Sequence, residues 1–132
     1  MSVLFYKSIT GGIMGILTYL FGGYDALMMA IIAVMCIETI ASVIKNINLK
    51  EVSSEFLFSL AYRKIGILSL IALANVIDNI LELSGVLRKI TISYFIASEG
   101  LSLVESWGEM GLPVPDKLRM VLDRLKKGDG DG

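Results

Sequence analysis

Between Ala26 and Ile44 the chain runs for 19 positions with Glu38 as its one charged residue. As a helix this stretch reaches about 28 Å, close to the hydrocarbon thickness of a bilayer. Three other stretches have similar length. Residues 3–23 hold Lys7 as their only charge, 65–83 are almost purely aliphatic up to Asn75, and 90–108 are apolar but carry acids. Four such helices would take up most of 132 residues. The expected fold is therefore all-α: an integral membrane helical bundle of four short transmembrane helices within 1–110. A short cytoplasmic C-terminal helix within 111–127 and a disordered tail at 128–132 follow. The alternative is three spans with one interfacial segment.

Composition narrows the chemistry. The chain is 55% hydrophobic and 19% charged, has no histidine, and has Cys36 as its single cysteine. A histidine-based triad, a zinc cluster and an intrachain disulfide are excluded, and no cofactor or catalytic residue is expected. The formal net charge of -1 lacks the basic footprint of a nucleic-acid binder.

Phe21-Gly22-Gly23-Tyr24-Asp25 is turn chemistry, so the first two spans should form a tight antiparallel hairpin. The stretch 46–64 is the most polar internal segment, with Lys45, Lys50, Arg63 and Lys64 at or near its ends. It is expected to be a loop with a short interfacial helix capped by Ser53-Ser54, and the third span is expected to begin after Arg63-Lys64. Ser84, Gly85, Arg88 and Lys89 form the next loop. Gly111-Leu112-Pro113-Val114-Pro115 ends the fourth segment, since proline removes a donor and biases the preceding residue away from helix. Leu118, Val121, Leu122 and Leu125 then recur at helical spacing. Basic residues gather in the second loop and at the C-terminus, which places both regions, and with four spans both termini, in the cytoplasm. Arg88 and Lys89 oppose that orientation. Lys117, Arg119, Arg124, Lys126 and Lys127 are each worth about 1 kcal/mol at an anionic surface.

Acidic residues fall inside three segments: Glu38, Asp78 and Glu99. One at a helix centre costs about 2.5 to 3.5 kcal/mol of insertion, so such groups face a bundle interior or water. At about 100° per residue, Thr91, Ser98, Ser102, Glu105 and Glu109 share one side of the fourth segment, flanked by Glu99 and Ser106. This polar stripe is the candidate pore wall, with Glu38 and Asp78 as further candidates. The competing explanations are helix packing for the hydroxyls and headgroup water for Asp78. Lys45, at i+7 from Glu38, is a candidate counter-charge. Gly11 and Gly15 form a G-x-x-x-G helix-packing pattern, and Cys36 reads as a small buried hydrophobe.

Tyr94-Phe95-Ile96-Ala97-Ser98-Glu99-Gly100-Leu101-Ser102-Leu103-Val104-Glu105-Ser106 resembles the F-Y-I-x-N-E-x-L-S-I-x-E-N signature of phage holin family 4, the phage lysis and toxin-secretion holins. Gly111-Leu112-Pro113-Val114-Pro115 with Leu118 continues it as G-x-P-x-P-x-x-L. Upstream, Glu38-Thr39-Ile40-Ala41-Ser42 stands where that family tends to carry D-Y-x-x-G. Ser53-Ser54 and Arg63-Lys64 resemble its S-S and K-K loop, and 72–78 its third span. Serines at 98 and 106 replace asparagines, and Leu57 and Leu60 replace loop glycines. The resemblance implies a homo-oligomer that opens a lesion in the bacterial cytoplasmic membrane, so that an endolysin or a toxin can leave. The competing function is a small proton-coupled transporter exchanging protons at Glu38 or Glu99, where desolvation would raise a carboxyl pKa. A third is a non-conducting scaffold that recruits a partner through 116–127.

Overall fold

The computed structural model describes residues 2–128, which form five helices and no strand. They are α1 (Ser2–Phe21), α2 (Ala26–Asn48), α3 (Ser54–Leu81), α4 (Val86–Glu109) and α5 (Asp116–Lys127). Residues 129–132, most of the expected disordered tail, lie outside the described residues.

Local chemistry sets the helix ends. Gly22 and Gly23, with φ of +78° and +106°, turn the chain after α1. A Cβ on Gly22 would stand 2.6 Å from Asn75 Oδ1, so glycine is required there on two counts. Asp25 then caps α2, accepting from the Met28 amide at 3.1 Å. Ser53 caps α3, accepting from the Phe56 amide at 3.1 Å. At the other end of α3, Glu82 is left-handed with φ +53°.

Two boundaries correct the sequence-based expectation. The third span does not begin after Arg63-Lys64, and no separate interfacial helix precedes it. One helix of 28 residues runs from Ser54 to Leu81, because nothing between Ser53 and Lys64 breaks it and the first glycine, Gly66, lies within the helix. The fourth helix starts at Val86 rather than 90, so Arg88 belongs to its first turn and is buried. The stabilising group is Asp78 of α3, whose two carboxylate oxygens accept from the Leu87 and Arg88 amides at 2.9 and 2.7 Å. Gly85 supplies no side-chain cap of its own.

α4 is the hub, packing against α2, α3 and α5, while α1 touches α3. The core joins Met28, Ile31 and Met35 of α2 to Ile67 and Ile71 of α3 and Ile92 of α4. Their three- and four-residue spacings give each helix one inward stripe. α1 buries none of its residues. It is held at its C-terminal end, where Asn75 Nδ2 donates to the Tyr19 carbonyl at 2.7 Å. A Cβ added at Gly11 or Gly15 would meet nothing within 4 Å, so among the described residues the G-x-x-x-G pattern packs against no other helix. Cys36 is exposed, contrary to expectation.

Among the described residues, α1, α2 and α3 are long and apolar enough to cross a membrane, and α4 is not. Their outer faces are large and apolar, including Leu17, Ile40, Leu73 and Ile80. Such surface suits lipid better than water.

Candidate functional site

Glu38, Lys64 and Glu99 occupy equivalent depths. Glu38 lies ten residues before the end of α2, Lys64 ten after the start of α3, and Glu99 ten before the end of α4. At 1.5 Å per residue each is about 15 Å from the same end of the bundle. Each also lies on its helix's inward side, so the side chains converge. Lys64 Nζ donates to Glu38 Oε1 at 2.6 Å and to Glu99 Oε1. Ser42 Oγ donates to the other Glu38 oxygen at 2.7 Å. Half-exposed Arg63 brings Nη2 to 3.3 Å from Glu99 Oε2 and 3.5 Å from Ser102 Oγ. Its angle to Glu99 makes an ion pair without a hydrogen bond, and Glu99 Oε2 accepts none.

Two carboxylates and two cations thus cancel where a lone charge is costly. The sequence singled out the acids, but it placed Lys64 and Arg63 at a loop edge and assigned Glu38 to Lys45. Lys45 instead pairs with Glu109. Helical register was the signal available: once α3 is continuous, Lys64 and Ile71 lie seven residues apart and share the buried side.

A second network closes the opposite end. Arg88 Nη1 and Nη2 form a fork with Asp25 at 2.8 and 3.0 Å, Nη2 donates to the Gly23 carbonyl at 3.1 Å, and Nε donates to that of Phe21. The bidentate pair ties the α1–α2 turn to α4. These Arg88 hydrogen bonds pull the Asp25 carboxyl down to about 2.

The other candidates separate. Asp78 lies at the α3–α4 turn, both oxygens occupied by α4 amides. Thr91 donates to its own helix at Leu87 O, 2.8 Å. Ser98 and Ser102 are half-buried, whereas Glu105 and Glu109 are exposed. The stripe therefore splits: Glu99 and Ser106 are buried, while half-buried Thr91, Ser98 and Ser102 and exposed Glu105 and Glu109 form a polar seam along α4, with Arg63 against Ser102. Among the described residues no three His, Cys, Asp or Glu side chains gather to hold a metal ion. About 100° around α4 from Glu99, the Leu122 side chain of α5 lies over Gly100, where an added Cβ would meet it at 2.9 Å.

The family model of the bacteriophage holin family matches residues 15–127. A probable holin of Bacillus phage phi105 is 35% identical over 107 residues, covering 81% of this chain and 76% of its own. Two uncharacterized Bacillus subtilis proteins are also similar. YqxH is 35% identical over 108 residues, covering 82% and 74%, and YtkC is 28% identical over 108 residues, covering 82% and 81%. No solved structure matches. Apolar helices of spanning length, charge cancelled inside the bundle, and a match across most of the sequence converge on one conclusion: the chain belongs to the bacteriophage holin family.

Proposed function

We propose that this chain crosses the bacterial cytoplasmic membrane four times with both termini in the cytoplasm. There it assembles with copies of itself into an aqueous hole that releases an endolysin or a toxin. The observation that supports it is the outer seam of α4. Half-buried Ser98 and Ser102 and exposed Glu105 line one side of α4, with half-exposed Arg63 against Ser102, alongside helices with lipid-compatible surfaces. A single copy in lipid leaves that seam against hydrocarbon, an expense of a few kcal/mol for its charges. Copies that turn their seams together, or toward water, remove it.

The ion cluster makes the fourth crossing feasible. Glu99 alone opposes insertion, but with Lys64 and Arg63 the site carries no net charge, so α4 crosses as part of a preassembled bundle. The burial of Arg88 against Asp25 also eases the charge conflict of the outer loop, leaving Lys89 as its exposed cation. The transporter reading needs a carboxylate free to exchange a proton, and Lys64 engages both Glu38 and Glu99.

Co-expression with a cytoplasmic endolysin tests the proposal. Ser102→Leu with Glu105→Leu leaves the Glu38–Lys64–Glu99 cluster whole and should still accumulate in the membrane, yet fail to lyse. Lysis on the parent's schedule by the inserted double variant would place the hole elsewhere.

A further inference from the structure

α5 is the most charge-segregated element of the molecule. Asp116–Lys127 holds five basic and two acidic residues, net +3, in a chain whose formal net charge is -1. The charges are also ordered around the helix. At about 100° per residue, Leu118, Val121, Leu122 and Leu125 share one face. Lys117 and Arg124 border it on one edge, Arg119 and Lys126 on the other. Both aspartates and Lys127 lie on the far side.

That apolar face is largely unpartnered. Leu118, Val121 and Leu125 are 48%, 54% and 38% exposed, and Leu122 alone is seated, over Gly100. Asp123 and Lys126 line a cleft with Leu101 and Glu105 of α4. Lys117 and Arg124, on the opposite edge, point away from this contact. With α4 across the membrane as proposed, the position is unsuited to hydrocarbon, since Gly100 lies near the middle of α4 and α5 would turn those two cations into lipid.

We propose that α5 also docks on an anionic bilayer surface. Its four leucine and valine side chains enter the acyl boundary, and the bordering cations snorkel to the phosphates. The two positions exclude each other, because Leu122 belongs to the face that lipid would take. Docking on lipid therefore uncovers Gly100 and its side of α4. Charge complementarity selects the occupant: both edges of the apolar face are cationic and the acids are farthest from it. The inference rests on membrane residence and is independent of hole formation.

The test uses the full chain with Cys36→Ser and a single cysteine, Val121→Cys or Met120→Cys, carrying an environment-sensitive fluorophore. It is reconstituted in vesicles of phosphatidylcholine alone, or of phosphatidylcholine and phosphatidylglycerol in equal parts. Position 121 should be shielded from aqueous iodide several-fold more in the anionic vesicles, and quenched there by lipid-borne nitroxide. Position 120, on the polar side, should stay in water in both. Lys117→Gln with Arg124→Gln and Lys126→Gln should abolish the difference. Gly100→Leu, which fills the seat of Leu122, should raise the lipid-docked fraction. Equal shielding of position 121 in the two lipids, or equal shielding of 120 and 121, overturns the proposal. Since no endolysin or lysis readout is involved, failure of hole formation leaves this result intact.

Discussion

Lys64 is the residue on which the buried charges balance. Replacing it with methionine leaves Glu38 and Glu99 facing each other in the bundle interior, with Arg63 at the edge as the remaining cation. Breaking a buried pair in this way costs about 3–5 kcal/mol, because an uncompensated charge stays behind. Lys64→Met should therefore lower the unfolding temperature in detergent and reduce membrane accumulation. Adding Glu38→Gln and Glu99→Gln should restore much of both; a triple variant no better than the single one would show that the ammonium does not serve to neutralise the acids. Asp25 gives a second residue-scale expectation, with a defined sign. Arg88 holds its carboxyl down to about 2. The stabilisation is thus complete above the ordinary carboxylate range near 4 and is lost as pH falls through about 2. Asp25→Asn should unfold at a lower temperature than the parent at pH 7, and the gap should close toward pH 2. A gap unchanged with pH would mean that the charge of Asp25 contributes nothing.

At the scale of elements, α3 and α4 show what the sequence made legible. The glycine turn after Phe21, the cap at Ser53 and the stop at 111–115 were readable because glycine, serine and proline act on the backbone next to them. The continuity of α3 was not. Arg63-Lys64 has the composition of a membrane boundary, and only acids from α2 and α4, 26 and 35 residues away from Lys64, turn it inward. Arg88 was hidden for the same reason, since its partners Asp25, Gly23 and Phe21 lie more than 60 residues upstream. The stripe on α4 was visible from periodicity, but its division into buried Glu99 and outer Ser98, Ser102 and Glu105 depends on where α3 packs. α5 was legible as an amphipathic helix, yet its contact with Gly100 was not. Following α4 as it does, α5 should set timing and not form the hole proposed above. Neutralising Lys126 and Lys127 to glutamine should shift lysis onset without abolishing it, as optical density after induction would record. Complete loss of lysis with normal insertion would contradict this assignment.

For the whole molecule, the structure divides the surface. α1, bare along most of its length, and the outer faces of α2 and α3 suit lipid, whereas the seam of α4 suits neither lipid nor a solitary copy. In the proposed function assembly resolves this, with the seam hidden between copies at rest and wetted when the hole opens. Thiol accessibility in living cells tests this most directly. In a Cys36→Ser background, single cysteines at Ser98, Ser102 and Glu105 are compared with Ile40 and Leu73 on lipid-suited faces, using a bulky, membrane-impermeant maleimide before and after lysis onset. The account predicts that labelling at 98, 102 and 105 rises together at onset while 40 and 73 stay protected. Labelling that rises at 40 and 73 but not along α4 would contradict it.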